Sequence, residues 1–280
     1  YGTAENVFSG LDMASTVGYK DMGGWGMFPL SGPIMADTLR VRDDLLVCPM
    51  IYGLGTGNYG NSNLRDAFLT LSQKVEGITF FQFESMLTKA SASDNFDGVR
   101  DIAGNLLTRY GDFFLNTEKG YRKVAILVSR DADTLSERKH MPIGLMCEGL
   151  WAACLRAGFP ADTFTDTQLQ NDKGPDGKYR HLGDYDVIFA PGWYYPEEVP
   201  KKTLEVLKDL KRMGKLIIVE KGNKLPIPGI LHMDINLDEI DDKLGGSFPK
   251  YLDFDNERWT VMTEKTTAYI RNFLKSHKIQ

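Results

Sequence analysis

Between Lys123 and Val219, four short strand-like runs alternate with helix-patterned stretches, and this alternation limits the fold more than any other feature of the chain. Lys123-Val-Ala-Ile-Leu-Val-Ser is apolar at consecutive positions, as a parallel strand buried on both faces must be. Ala161–Thr165, Tyr185-Asp-Val-Ile-Phe-Ala and Lys215-Leu-Ile-Ile-Val supply the other three runs. A helix is predicted from about Pro142 to Ala157, ended by Gly158. A second opens at Pro200, carries Leu204, Leu207 and Leu210 on one face, and is capped by Gly214. Strands and helices in this alternation make an open, doubly wound domain of three layers. Gln168 to Gly183 is hydrophilic and contains Gly174-Pro-Asp-Gly, a loop signature. Residues 224–255 read as irregular, and a last amphipathic helix is expected from about Glu257 to Ser276.

Upstream, Leu45 to Ser85 has the pattern of one strand-helix-strand unit. Leu45 to Ile51 is an apolar run interrupted by Cys48 and Pro49. Asn58 to Asn63 offers turn residues and several N-caps. Leu64, Ala67, Phe68, Leu71 and Val75 then recur at helical spacing and predict one buried face, with Gly77 closing the helix. Ile78 to Phe83 is aromatic and β-branched, hence strand-like. A further helix is predicted from about Val99 to Leu115, with Ile102, Leu106, Tyr110 and Phe113 as its apolar stripe. Residues 1–40 are glycine-rich, with a loop around Gly23-Gly24-Trp25 and a short helix near Pro33. The polar connector Asn116 to Arg122 sets the expected boundary between a unit of residues 1–116 and one of residues 122–280.

Composition narrows the function. Hydrophobic content of 42% and charged content of 25% are those of a chain that buries a core. The net charge is −5 and lysines alternate with acids, so no nucleic-acid partner is expected. No apolar run reaches the roughly 18 residues of a membrane span. Cys48, Cys147 and Cys154 are too few and too scattered for a disulfide framework or a zinc site, and read as buried thiols. They lean towards a reducing compartment without assigning one. The chain begins at Tyr1 with no initiator Met and no signal pattern, from which we expect either that something upstream has been removed or that this is a piece of a longer protein.

Three motifs bear on chemistry. Gly55-Thr-Gly57-Asn-Tyr-Gly60 is a G-x-G-x-x-G between a strand and a helix, and Glu84 follows Gly55 by 29 residues. Such an acid would hold a ribose hydroxyl, so a dinucleotide-binding oxidoreductase is one alternative. The asparagines at 58, 61 and 63 suit turns better than the opening of that helix, which favours a plain loop and no cofactor. Secondly, Trp25, Tyr52, Tyr59, Phe80, Phe81 and Phe83 cluster in sequence around the strand ends, with Gln82 and Glu84 among them. Aromatic faces with acids and amides suit a sugar ring, which has apolar CH faces and a rim of hydroxyls. Thirdly, class I glutamine amidotransferase domains share the strand pattern of residues 122–280 and carry a nucleophilic Cys on a sharp turn after a strand. The turn after Val219 reads Glu220-Lys-Gly, and the nearest thiol, Cys154, falls within a predicted helix. No G-x-S-x-G is present, and the four histidines read as surface residues.

Residues 40–220 as a whole resemble the family-42 glycoside hydrolases, the β-galactosidases. The resemblance is carried by Gly77-Ile-Thr-Phe-Phe-Gln-Phe-Glu-Ser, Val124-Ala-Ile-Leu, Tyr185-Asp-Val-Ile-Phe-Ala-Pro-Gly and the helix-Gly214-Lys-Leu-Ile-Ile pattern. It implies the C-terminal part of a (β/α)₈ barrel followed by an amidotransferase-like, flavodoxin-like three-layer domain that mediates trimerisation. It further implies a carbohydrate ligand, for which the clustered residues offer Trp25, Tyr52, Tyr59 and Gln82 as binding candidates and Glu84 as the catalytic candidate. The family's nucleophilic Glu falls nearest Tyr52, and no acid lies between Asp44 and Asp66. Its last-strand Arg falls at Glu84, and its general acid belongs upstream of Tyr1. About 115 residues cannot close a barrel that takes roughly 250. The expected function is thus part of a glycoside hydrolase, enzymatic if an upstream part supplies the carboxylates. The alternative from another class is a non-catalytic carbohydrate-binding or assembly subunit.

Overall fold

The computed structural model of the chain describes residues 13–14, 17–18, 37, 46–52, 67–81, 97, 99–120, 122–129, 131–132, 143–234 and 257–279. The chain divides into two compact units, Tyr1–Gly120 and Tyr121–Gln280.

The first unit is built on short parallel strands: β1 (Met13–Ala14), β2 (Val17–Gly18), β3 (Leu46–Val47), β4 (Met50–Tyr52) and β5 (Thr79–Phe81). β1 pairs with β3, while β2, β4 and β5 form a second ladder in that order. The apolar run at 46–52 is therefore one strand in sequence and two ladders in space. The break falls at Cys48-Pro49, where proline has no N–H to give. Each sequence region pairs with the next, 13–18 with 46–52 and 46–52 with 79–81. Sequential parallel neighbours are the arrangement of a (β/α) barrel wall. The strand at 13–18 lies in a stretch where the sequence suggested only loops and a short helix.

Between β4 and β5, residues 67–71 are helical, and Ala67, Leu71 and Val75 are buried. Phe68, expected on the same face, is 52% exposed. The helix ends before Gly77: Lys74 takes a left-handed φ of 61° and breaks the run. Gly77 has a different task, because a Cβ there would stand 3.0 Å from Cys48 Sγ. Glu76 fastens this turn to β3. Its backbone N–H donates to the Val47 carbonyl (3.1 Å), and its Oε2 accepts from the Val47 N–H (2.7 Å).

The predicted helix at 99–115 forms, but not as a uniform α-helix. Ile102–Leu107 is a π-helix that runs into α1 (Thr108–Asn116). The Thr108 N–H and hydroxyl both donate to the Ala103 carbonyl, five residues back. Eleven residues at 3.6 per turn bring position 113 back over Ile102 after about three turns. The wider π turns lag, and the return shifts by one residue. Phe114 is accordingly buried, whereas Tyr110 and Phe113 from the predicted stripe are more than half exposed. Ala67 and Ile102 form the core here, with Ile78, Leu106 and Leu107 packed on it. Phe114 meets Phe68 edge to face at 5.4 Å.

The second unit is a five-stranded, all-parallel sheet of β6 (Val124–Val128), β7 (Ala161–Thr165), β8 (Val187–Phe189), β9 (Leu216–Val219) and β10 (Leu231–His232). Its order is β10-β9-β8-β6-β7, the doubly wound order in which the winding reverses between β6 and β8. Val124 to Leu127 are buried at every position, so both faces of the sheet are covered. Helices α2 (Ile143–Ala157), α3 (Asp166–Asn171), α4 (Lys201–Arg212) and α5 (Glu257–Ser276) surround it.

Gly158 and Gly214 end α2 and the α4 turn with φ of 88° and 89°, values that favour glycine. Trp151 ties α2 to the sheet by donating its Nε1–H to the Ala161 carbonyl (3.0 Å). The Arg271 guanidinium on α5 donates to the Arg156 carbonyl at the C-terminal end of α2. Two elements depart from the sequence reading. The hydrophilic stretch from 168 begins inside α3, whose capping box is Thr165 with Gln168. The stretch at 224–234 holds β10, parallel to β9 although only eleven residues, 220–230, join them. α5 spans the range expected from its periodicity.

Candidate functional site

Parallel sheets place ligands beyond the C-terminal ends of their strands, where loops diverge and backbone amides point outwards. In the first unit that edge is defined by Tyr52, the last residue of β4, in register with Phe81, the last of β5. The chain runs from Phe81 straight into Gln82, Phe83 and Glu84. Tyr52 and Phe81 therefore end neighbouring strands at the same sheet edge. Trp25, Tyr59, Gln82, Glu84 and the Gly55–Gly60 motif lie outside the described residues, as does the side chain of Tyr52.

At the equivalent edge of the second unit, polar side chains converge that the sequence did not single out as a group. Glu220, the first residue after β9, is fully buried. Its Oε1 accepts from the Gly192 N–H at 2.9 Å, and both carboxyl oxygens lie 3.2 Å from Asn223 Nδ2. Tyr194, on the same loop as Gly192, donates its hydroxyl to Met146 Sδ (3.7 Å). Burial pushes the Glu220 carboxyl above the usual carboxylate range, and its hydrogen bonds pull against that shift without reversing it. Asn223 is itself fixed: its amide donates to the Ala190 carbonyl (3.2 Å) and accepts from the Leu225 N–H (2.9 Å). The available signal was an acid directly after the apolar run Leu216–Val219.

Two strands over from β9, Ser129 follows β6 and is buried. Its hydroxyl donates to Asp166 Oδ2 (3.0 Å) and accepts from the Ala132 N–H (3.0 Å). A serine and an aspartate meet here as they would in a hydrolytic triad. However, His181, His232 and His277 are all exposed, as the sequence suggested, so no histidine completes the set among the described residues. Cys147 and Cys154 are buried within α2, and burial raises the Cys154 thiol. Nothing in the described part of this edge is an activated nucleophile. Among the described residues no three His, Cys, Asp or Glu side chains group to hold a metal ion, and no helix is long and apolar enough to cross a membrane.

No family profile matches the sequence, and no curated protein matches it significantly. The fold is informative where the sequence is not. The chain has the α/β fold, with parallel sheets, found within glycoside hydrolases of the β-galactosidase type. It is similar to Gan42B, a GH42 β-galactosidase, at 14% identity and a TM-score of 0.50, over 75% of this chain and 32% of that one. It is similar to the β-galactosidase of the psychrophilic Marinomonas ef1 at 13% identity and a TM-score of 0.51, over 86% and 41%. α-L-Fucosidase isoenzyme 2 from Paenibacillus thiaminolyticus matches at 14% identity and a TM-score of 0.51, over 82% and 32%. The chain is GH42-like in fold and spans 32% to 41% of the length of these enzymes.

Proposed function

We propose that the chain is part of a glycoside hydrolase of the β-galactosidase type, or of a degenerate relative, that acts on or binds carbohydrate. The observation supporting this reading is the likeness to solved β-galactosidases over three quarters or more of the chain. Residues 1–116 would supply the last strands and helices of a (β/α)₈ barrel, and residues 122–280 an amidotransferase-like module for assembly into a homo-oligomer, a trimer by resemblance. Trp25, Tyr52 and Tyr59 would be walls against the apolar faces of a sugar, Gln82 a hydroxyl partner, and Glu84 the carboxyl at the rim. A retaining hydrolase needs two carboxyls about 5–5.5 Å apart, so Glu84 would need a second carboxyl as its partner.

One observation favours the second reading, a carbohydrate-binding or assembly subunit without turnover. β4 ends on Tyr52, and no acid occurs between Asp44 and Asp66. Nitrophenyl β-galactosides and α-fucosides, assayed on the longest natural form of the protein, separate the two. Hydrolysis lost in Glu84→Gln supports the enzyme. Sugar binding to the unaltered protein without turnover, weakened by Trp25→Ala or Tyr59→Ala, supports the subunit. Absence of both hydrolysis and binding overturns the carbohydrate reading.

A further inference from the structure

In the first unit, Phe114 of α1 meets Phe68 edge to face at 5.4 Å, and the Phe113 ring meets Phe114 at 5.8 Å. Phe114 is buried, yet Phe68, Tyr110 and Phe113 around it are each more than half exposed. Tyr110 lies one helical turn before Phe113, so the two share a side of α1. Three half-exposed aromatic side chains of about 200 Å² each leave roughly 300 Å² of apolar surface in water. Single exposed apolar residues are ordinary, whereas a joined patch of this size marks an interaction face.

The charges beside the patch say what fits it. Arg109 and Asp112 each sit one position before an aromatic residue, at Tyr110 and Phe113, and so lie along one flank of the aromatic stripe. Both are exposed, and among the described residues neither side chain is engaged in an ion pair. Turned end over end about the midpoint of the stripe, α1 sets Tyr110 against Phe113 of a second copy, and Phe113 against its Tyr110. The same rotation brings the two charged flanks to one side, with Arg109 offset from Asp112 of the second copy by about 3 Å along the helix. A parallel pairing would instead set arginine on arginine and aspartate on aspartate. The pattern is complementary to itself in one orientation, as an isologous contact requires.

We propose that Phe68, Tyr110 and Phe113 form the centre of a two-fold interface between two copies of this chain, with α1 antiparallel to itself and Arg109–Asp112 pairs at the rim. A standard interface covers about 800 Å² on each partner, with an apolar centre and a polar rim. The patch supplies less than half of that, so the pairing is weak and depends on concentration. The inference does not rest on the carbohydrate reading. It is also separate from the assembly role proposed for residues 122–280, since it uses the first unit alone.

The test is sedimentation of the longest natural form of the protein from about 1 to about 200 µM, the range in which a weak dimer forms. A mass that doubles across this range is expected, whether the starting species is a monomer or an assembly made by the second unit. Phe113→Glu, at an exposed position, should keep the circular dichroism of the fold and abolish the doubling. Arg109→Asp and Asp112→Arg each set like charges together twice per interface, and each should weaken pairing about tenfold. Combining the two restores opposite charges and should restore the pairing. No doubling in the unaltered protein, as when another segment of it covers the face, overturns the proposal. Doubling that survives Phe113→Glu, or a combined charge swap that pairs no better than either single change, overturns it as well. If Phe113→Glu does not fold, the charge variants decide alone.

Discussion

The Arg122 guanidinium lies 2.5 Å from Asp162 Oδ1 at the N-terminal edge of the five-stranded sheet, and both side chains are nearly out of water. Arg122 Nη1 also donates to the Ala161 carbonyl, and the Tyr185 hydroxyl donates to Asp162 Oδ2 (2.7 Å). One carboxylate thus links the residues that lead into β6 and β8 to β7. Arg122→Met is expected to leave Asp162 buried without its cation and to cost about 2–3 kcal/mol, toward the low end for buried pairs because some water still reaches both groups. Tyr185→Phe should cost about 1 kcal/mol. Urea unfolding followed by the fluorescence of buried Trp151 and Trp193 measures both. A change under about 0.5 kcal/mol for Arg122→Met would show the pair to be idle.

Gly77 and Cys48 make a second testable pair. An added methyl at position 77 would meet Cys48 Sγ at 3.0 Å, so the thiol must give way by a few tenths of an ångström. Gly77→Ala is expected to destabilise by about 1 kcal/mol. In a Cys48→Ala background the same change should become neutral or stabilise by about 0.5 kcal/mol, since alanine restricts the unfolded chain more than glycine does. A double-mutant cycle reads the coupling, and additive effects would refute the contact.

At the start of α3, Thr165 accepts from the Gln168 N–H (3.2 Å), while the Gln168 side chain accepts from the Thr165 N–H (2.8 Å). Thr165→Ala is expected to cost about 1 kcal/mol. Because the two bonds form one box, Gln168→Ala added to it should cost less than it does alone. Chemical denaturation of the single and double variants checks this.

Glu220 makes stability depend on pH. Burial sets its folded carboxyl above the ordinary glutamate value of about 4.3. The linked stabilisation is therefore fully present below that ordinary value and is lost as pH rises through the raised folded value. Glu220→Gln cannot ionise. The unfolding free energy of the unaltered chain minus that of the variant should fall as pH rises above the ordinary glutamate value. A difference that is flat, or that climbs with pH, would contradict the direction of the shift.

The second unit was largely legible in the sequence because its central strand is buried on both faces and two of its helices, α2 and α4, end on glycines. Val124–Val128, Ala161–Thr165 and Glu257–Ser276 emerge where the pattern put them. What escaped was short or non-local. β10 is two residues long and owes its existence to β9, and α3 was hidden by polar composition although Thr165 and Gln168 mark its start. In the first unit, β1 and β2 are defined only by pairing with residues about 33 positions downstream, which no local pattern reports. The candidate sugar residues were chosen by clustering in sequence, and among them only the backbone of Tyr52 is placed, at the rim beside Phe81. The convergence on Glu220 was illegible because it joins Asn223 of the same loop to the Gly192 N–H of another, 28 residues away.

The π-helical stretch before α1 has a consequence for how this chain tolerates changes in length. Twelve residues separate the inward-facing Ile102 and Phe114, one more than three α-helical turns require. The surplus residue is absorbed between them, so neither end of the helix loses its contacts. Gly104 lies in that stretch with nothing within 4 Å of where its Cβ would be. Deleting it should convert the stretch to regular α-helix and leave Ile102 and Phe114 on the same side. A one-residue deletion inside a packed helix ordinarily rotates everything beyond it out of register. Here the helix carries a spare position, and its length can vary by one at that place without the core being rebuilt.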